Sequence, residues 1–504
     1  MIARKSALII FVQLLNGILG FVGLKFIALY MQPWEYGVIG FAYGFVALFS
    51  IFGDLGFGTA HVKRISEGKD LGKCASTFAT IKLITTSVLA SATFLSIAIW
   101  RYVFGRGFES PLHEQAVYLL LAYFILNSLT QTFTTTFSAK KEIAKANIPY
   151  FMYTLIRVII TIFVAYLGLG VLALAYTYLL GEIFQFSLAY YFFKSYKLTK
   201  PSIDYIKNYT KFAFPMAIAS AASIIILNVD RVIIQLFWGA QQVGEYFAVF
   251  NLSRFIINFS TAVAVLLLPT ISEYHAKNNM DDIRKLTLAS ERYLSMITFP
   301  IVILLVVLAE PVIRILLSDQ YSPALTSLQI LPFFVLFEVL SQPYQSQLQG
   351  MNMPHIVRNR IVIMMIVSII LNLILVPVDI RSLGIKLAGL GAMGSALAIV
   401  IAYFVGFITT RVYAFRVANM KGNNRILLHV LAAVLMGVIL YLFIRIFPIG
   451  RWYELVGICV VGSLIYFCIL FLLKEFDKKD FYLFWDTLNI KKMALYIWSE
   501  VRKK

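Results

Sequence analysis

Residues 1–30 read MIARKSALIIFVQLLNGILGFVGLKFIALY. Two basic residues, Arg4 and Lys5, precede an apolar run from Ser6 to Tyr30 whose single charge is Lys25. About 20 consecutive apolar residues suffice for a helix to cross the hydrocarbon core of a bilayer. No small-residue cleavage site closes the run, so it is expected to remain as a first membrane helix and not to be removed as a signal peptide. Residues 31–35 carry no Lys or Arg. A second apolar run follows over 36–60, and after it come Lys63, Arg64, Lys69 and Lys73. The order basic, apolar, neutral, apolar, basic is what a chain shows when it crosses a membrane and returns.

The alternation continues along the chain. Segments long and apolar enough to cross run approximately over 6–30, 36–60, 74–100, 115–138, 146–168, 171–193, 209–237, 243–269, 292–309, 325–349, 355–377, 388–410, 426–447 and 453–473. Of the 44 Lys and Arg, with those near the approximate segment ends counted with the adjoining connections, 32 fall in the odd-numbered connections, 7 in the even-numbered ones and 5 inside the segments. Basic residues in short loops are retained on the cytoplasmic side. The expected fold is therefore all-α: a polytopic integral membrane protein of the cell membrane, with 14 transmembrane helices and both termini in the cytoplasm. A composition of 60% hydrophobic and 14% charged residues, with mean hydropathy +0.82, agrees with that class. The net charge of +19 is accounted for by topology and attraction to anionic lipid, so no nucleic-acid partner is expected. Cys74, Cys459 and Cys468 show neither metal spacing nor a disulfide framework.

The two halves of the chain resemble each other. Arg64-Ile65-Ser66-Glu67 follows the second crossing and Thr270-Ile271-Ser272-Glu273 follows the eighth. Tyr36-Gly37 opens the second, and Val243-Gly244-Glu245-Tyr246 opens the eighth. Gly168-Leu169-Gly170 precedes the sixth, and Gly389-Leu390-Gly391 opens the twelfth. Six crossings per half make parallel repeats, and transporters built this way hold substrate between their halves. The expected division is an N-lobe over 1–200, a C-lobe over 201–415, two added crossings over 416–474 and a cytoplasmic amphipathic tail over 475–504. That tail mixes Phe481, Trp485, Leu488, Tyr496 and Trp498 with basic residues, as an interfacial helix would.

Polar residues recur on single helix faces inside the apolar segments. The fourth crossing carries Asn127, Gln131, Thr134 and Ser138; the tenth carries Glu338, Gln342, Gln345 and Gln349. The seventh adds Asn228, Arg231 and Gln235, and the eighth Asn251, Arg254 and Asn258. Such stripes either bond helix to helix in a dry bundle or face water. Matched placement in the two halves favours a cavity between them. The ionisable residues inside segments are Lys25, Lys82, Arg157, Arg231 and Arg254, with Asp54, Glu182, Asp230 and Glu338. A charge at mid-membrane costs upward of ~2.5 kcal/mol, so each is a candidate for function. Arg157, Glu182, Arg254 and Glu338 sit near mid-span, where pairing of Arg157 with Glu182 or Arg254 with Glu338 is the structural alternative. Lys25 and Arg231 lie at matched depths and are expected to line the cavity, whereas Lys82 is expected to snorkel. Cations in such a cavity suit an anionic passenger, and Arg presents a planar fork that fits phosphate.

Phe52-Gly53-Asp54-Leu55-Gly56-Phe57-Gly58-Thr59-Ala60 resembles the end of the second helix in polysaccharide flippases. So do Asn228-Val229-Asp230-Arg231, Leu268-Pro269-Thr270-Ile271-Ser272, and Leu348-Gln349-Gly350 before Pro354. Over essentially its whole length the chain is similar to the polysaccharide transporters, the Wzx type, of the multidrug/oligosaccharidyl-lipid/polysaccharide (MOP) superfamily. The resemblance implies two six-helix lobes plus two helices, and movement of a lipid-linked oligosaccharide between leaflets. The passenger would be a polyprenyl phosphate or pyrophosphate carrying a glycan, its head held by Lys25, Arg157, Arg231 and Arg254. Gating or ion coupling would fall to Asp54, Glu182, Asp230, Glu338 and Asn372. Related lipid II flippases bind sodium through positions that Asp230 and Asn372 could match, but Val376 stands where a second acid is expected, so Na+ or H+ coupling stays open. No resident cofactor is expected. The implied partners are the lipid-linked oligosaccharide and membrane lipids, for a monomer that could work beside glycan-assembly enzymes.

Two other classes are weighed. A membrane enzyme is disfavoured by short outside loops and by the lack of zinc spacing, a Ser/His/Asp grouping or a phosphate loop. A cation-coupled small-molecule or drug exporter of the same superfamily is the alternative function. It would ordinarily have twelve crossings and an acidic pocket. Pro332 and Pro343 flank the polar stripe of the tenth crossing and are expected to kink it.

Overall fold

The computed structural model describes residues 2–103, 105, 107–254, 257–380, 384–420 and 425–476, without the side chains of 2–11, 215, 258–266, 380 and 385. The expected interfacial tail from residue 477 onward and the side chain of Asn258 lie outside this description. The first part of the chain forms α1 (Ile2–Tyr30), α2 (Pro33–Phe49), α3 (Ile51–Asp54), α4 (Phe57–Ser66), α5 (Leu71–Ala98), α6 (Pro111–Ala139), α7 (Ile143–Tyr166) and α8 (Gly170–Phe193). Then come α9 (Ile203–Trp238), α10 (Ala240–Arg254), α11 (Ile257–Ala276), α12 (Met280–Val307), α13 (Ala309–Val312), α14 (Leu325–Ile330), α15 (Pro332–Gly350) and α16 (Pro354–Leu375). A short antiparallel hairpin of β1 (Asp379–Ile380) and β2 (Ile385–Lys386) leads to α17 (Gly391–Ala418), α18 (Arg425–Ile446) and α19 (Trp452–Leu472).

The architecture is that of a helical membrane protein. Among the described residues twelve helices are long and apolar enough to cross a bilayer, and the bent pair of α2 with α3–α4 makes a thirteenth if counted as one span. The eighth expected crossing is carried by α10 and α11, on either side of residues 255–256. In the first part α1 packs on α7, and α8 on both α6 and α7; in the second α17 packs on α15 and α16, and α9 on α16. The last two helices attach to α12. Their attachment ends in a buried charge cluster. Arg292 of α12 donates from Nε to Glu475 Oε1 at 2.5 Å, and His429 of α18 bonds Ser295 at 2.7 Å. Glu475 is thus packed among helices, although the tail expected from the sequence begins there.

The second span breaks where the sequence reads Asp54-Leu55-Gly56. Leu55 (φ 46°) and Gly56 (φ 79°) are left-handed, and the segment Ile51–Ser66 that contains them is bent by 41° from Pro33–Phe49. A break at membrane depth frees backbone groups that lipid cannot satisfy. Three side chains serve one of them: the carbonyl of Gly53 accepts from Lys82 Nζ at 3.0 Å, Thr85 Oγ1 at 3.1 Å and Ser128 Oγ at 3.2 Å. Asp54 Oδ1 accepts the freed N–H of Gly58 at 3.1 Å. Lys82 also donates to Asp54 at 2.9 Å and to Gln131 at 2.8 Å, and it is 1% exposed. It therefore does not snorkel. The break gives it acceptors inside the bundle, and reaching the surface would forfeit them.

Helices α2 and α10 cross at the glycines that signalled the repeat. A Cβ on Gly37 would fall on the carbonyl oxygen of Ala240, and one on Gly244 would fall on that of Pro33. Each contact joins a glycine to the residue four before the other glycine, so the crossing is reciprocal, as across a twofold axis. Small residues let membrane helices approach at backbone distance. Any side chain at either position would part the two helices. The two segments matched in the sequence at residues 37 and 244 are thus in physical contact.

Candidate functional site

Beside the α2–α10 crossing lies a cavity of about 600 Å³, walled by α1, α2, α6, α7 and α8 and by α9, α10 and α11. Arg157 of α7, Arg231 of α9 and Arg254 of α10 line it, and among the described residues no Asp or Glu does. Tyrosines make up much of the remaining wall: Tyr36, Tyr43, Tyr123, Tyr150, Tyr153 and Tyr178. The spacing 150, 153, 157 places two of them and Arg157 on one face of α7, and 36 to 43 does the same on α2. That periodicity was available in the sequence, but tyrosine at helical spacing is more often ordinary core than site.

The three arginines are held differently. Arg157 sits with its guanidinium carbon 4.5 Å from the ring centre of Tyr178 and 5.6 Å from that of Tyr153. Cation–π contact covers the faces of the guanidinium and leaves its N–H edge for a planar acceptor. Among the described residues nothing accepts a hydrogen bond from Arg157. Arg231 is 3% exposed and committed to its own helix, donating to Leu227 O at 3.0 Å and Asn228 Oδ1 at 3.2 Å under the ring of Phe247. Arg254, exposed at the end of α10, touches the ring of Phe250. No ion pair is formed by any of the three among the described residues. Uncompensated cations at membrane depth require water or an anion in the cavity.

The other expected site residues lie elsewhere. Lys25, half-buried on α1, is not among the lining residues; Gly23, Leu24 and Ile27 take that face of the helix. The matched sequence depth of Lys25 and Arg231 therefore does not bring them together. Glu182 is fully buried, but it faces α6, where Thr130 Oγ1 donates at 2.7 Å and Asn127 Nδ2 at 3.2 Å. Its neighbour Gly181 is what α8 turns toward Arg157. Glu338 pairs with Arg360 of α16 at 2.6 Å, and not with Arg254. Asp54 belongs to the helix break. Asp230 accepts from Tyr246 OH at 2.6 Å, whereas Asn372 accepts from Ser395 Oγ at 2.5 Å and donates to Ser368 O. No hydrogen bond joins Asp230 to Asn372, and among the described residues no cluster has metal-holding composition.

The polar stripes of the fourth and tenth crossings do not line the cavity. Asn127 and Gln131 bond inward to Glu182 and Lys82, and Glu338 bonds to Arg360. Those residues serve the interior of each bundle, whereas Ser138 and Gln349 at the stripe ends are exposed. Arg292 and Arg360, near the starts of the ninth and eleventh apolar segments, are buried at 9% and 2% exposure. Arg292 lies mid-way along α12 and Arg360 in the second turn of α16, where a carboxylate partner, Glu475 or Glu338, holds each in the packed interior. Pro343 lies inside α15, while Pro332 begins it.

A family model for polysaccharide biosynthesis proteins matches residues 27–326, more than half of the chain. The chain belongs to this family. Like it over most of its length is the probable low-salt glycan biosynthesis flippase Agl15 of Haloferax volcanii, 25% identical over 431 residues, which span 83% of this chain and 85% of that one. In three dimensions the fold is similar to a lipid II flippase MurJ in an inward closed conformation. The TM-score is 0.73, with 17% identity and coverage of 91% of this chain and 97% of that one. An inward-facing multidrug resistance MATE family transporter of the MOP superfamily gives a TM-score of 0.64, with 16% identity over 81% of this chain and 96% of that one. The family member thus has the fold shared by flippases and drug transporters of this superfamily, and the cavity wall must separate the two readings.

Proposed function

We propose that this protein is a flippase moving a polyprenyl-(pyro)phosphate-linked oligosaccharide across the cell membrane by alternating access. The observation that carries the reading is a cavity wall with three arginines and, among the described residues, no carboxylate. The name of the Haloferax relative, and the fold shared with a lipid II flippase, support it. The free edge of Arg157 would take two oxygens of one phosphate, and Arg254 would take the next. A volume of about 600 Å³ falls within the range of small-molecule sites, roughly 300–1,000 Å³. It suits the phosphate head and an adjoining sugar, while the polyprenyl tail stays in lipid. The chain would sit in the cell membrane with both termini in the cytoplasm, as a monomer beside the enzymes that assemble the glycan, and would itself catalyse no covalent step.

No resident cofactor is assigned. Of the two coupling ions left open, H+ suits the residues better. Asp230 and Asn372 are engaged by Tyr246 and Ser395, whereas Glu182 is a buried carboxyl bonded only to neutral donors. Export of cationic drugs, the alternative, would bring like charge against three arginines in a site of low dielectric. Thermal unfolding of the purified protein separates the readings. A polyprenyl diphosphate at about 100 times its Kd should add roughly 2.7 kcal/mol of stability and raise Tm. Ethidium should leave Tm unchanged. Stabilisation by ethidium, with none by the diphosphate, would favour the exporter.

A further inference from the structure

At the end of the cavity where α2, α6 and α10 all begin, we propose that Glu109 is a gating residue: a carboxylate latch that holds this end shut and must release for the cavity to open there. The inference rests on the transporter reading above. Glu109 precedes α6, in the first part of the chain. Its Oε2 accepts the backbone N–H of Ala240 at 3.2 Å and is also bonded by the side-chain amide of Gln235. Both donors belong to the second part of the chain, Gln235 near the end of α9 and Ala240 as the first residue of α10, where α10 meets α2. A helix start leaves N–H groups unsatisfied and carries partial positive charge, so a carboxylate is favoured there. Here the capping carboxylate comes from the other side of the crossing. Separating the two sides therefore uncaps α10.

The surroundings fit a contact built to close and reopen. Gly239, at φ 81°, separates the two donors, and a Cβ there would lie 3.3 Å from both Glu109 oxygens. Bare backbone at that position lets the carboxylate seat. His113 of α6 is 3% exposed, lies 3.6 Å from Glu109 Oε2, and bonds Ser110 at 2.9 Å, which steadies the segment bearing the latch. Tyr36 stacks on Phe247 at 4.8 Å and accepts from Asn251 at 3.1 Å, and all three residues line the cavity. Helix α10, whose first residue Glu109 caps, thus carries one side of this aromatic seal against α2. The Glu109 side chain is 52% exposed, so water can replace its bonds as they break. A contact of that strength biases an equilibrium without locking it.

The test uses the full chain in cells, with the three native cysteines replaced and a single cysteine at Asn251, labelled from outside with a membrane-impermeant maleimide. Glu109→Ala should raise the labelling rate about 3- to 10-fold, the effect of losing a net hydrogen bond or two. Gln235→Glu, which sets two carboxylates face to face, should raise it at least as much. The exchanged pair Glu109→Gln with Gln235→Glu restores an amide–carboxylate contact and should bring labelling back toward the parent. Unchanged labelling in both single variants, with normal abundance and with the parent labelled measurably, would overturn the latch. Failure of the exchange to rescue raised labelling would overturn the specific pairing. A parent cysteine that is never labelled from outside, even in the latch variants, would instead count against alternating access itself.

Discussion

Arg157→Ala is expected to abolish transport while leaving the protein folded and abundant. Arg157 gives no hydrogen bond to any described residue and forms no ion pair among them, so its removal strands no buried carboxylate. What is lost is the packing of a guanidinium between Tyr153 and Tyr178. A bidentate contact to phosphate comprises two charge-assisted hydrogen bonds of roughly 1.5–3 kcal/mol each. Turnover should therefore fall by at least about 100-fold. Lysine at this position keeps the charge but not the fork, and should restore only part of the rate. The measurement is a flipping rate per folded molecule, with size-exclusion chromatography as the control for folding. Aggregation of the alanine variant would show that the residue is structural.

Lys82→Met should behave in the opposite way, as a folding defect. Its amine serves Gly53 O, Asp54 Oδ1 and Gln131 Oε1 at the broken second span. Removing one partner of a buried pair costs about 3–5 kcal/mol. The Asp54 side chain keeps 32% exposure, which puts the loss at the lower end of that range. Thermal unfolding in detergent should show the drop in stability. Adding Asp54→Asn should recover part of it, because the unpaired charge is then gone. A Lys82→Met protein as stable as the parent but unable to transport would move this ion pair from scaffold to mechanism. Two cations read from one apolar pattern thus have different duties, and the difference lies in what accepts their hydrogen bonds.

Class was legible in the sequence because the positive-inside bias and the 20-residue apolar period are properties of the chain itself. One matched pair of the sequence, Gly37 and Gly244, lies where two helices touch at backbone distance. Arg157, Arg231 and Arg254 could be placed in the membrane and do line one cavity. Their neighbours could not be assigned. Glu182 and Arg157 share a depth, but α8 turns Gly181 toward Arg157 and Glu182 away from it. Lys25 sits on the wrong face of α1. Position along a helix can be read from hydropathy, but rotation about its axis depends on packing partners far away in sequence. For the same reason Glu338 found Arg360, a residue near the start of the next crossing, and not Arg254. The tyrosine wall was hidden because aromatic residues at helical spacing also fill ordinary cores.

The cavity's preference for an anionic lipid head is tested most directly by transbilayer movement in proteoliposomes. A fluorescent polyprenyl-diphosphate saccharide is placed in both leaflets, and the fraction exposed to a membrane-impermeant quencher is followed over time. With the parent protein the whole pool should become quenchable, with Arg157→Ala only the outer-leaflet half, and ethidium added to the same vesicles should not be transported. Ethidium transport with the lipid pool remaining half protected would contradict the flippase.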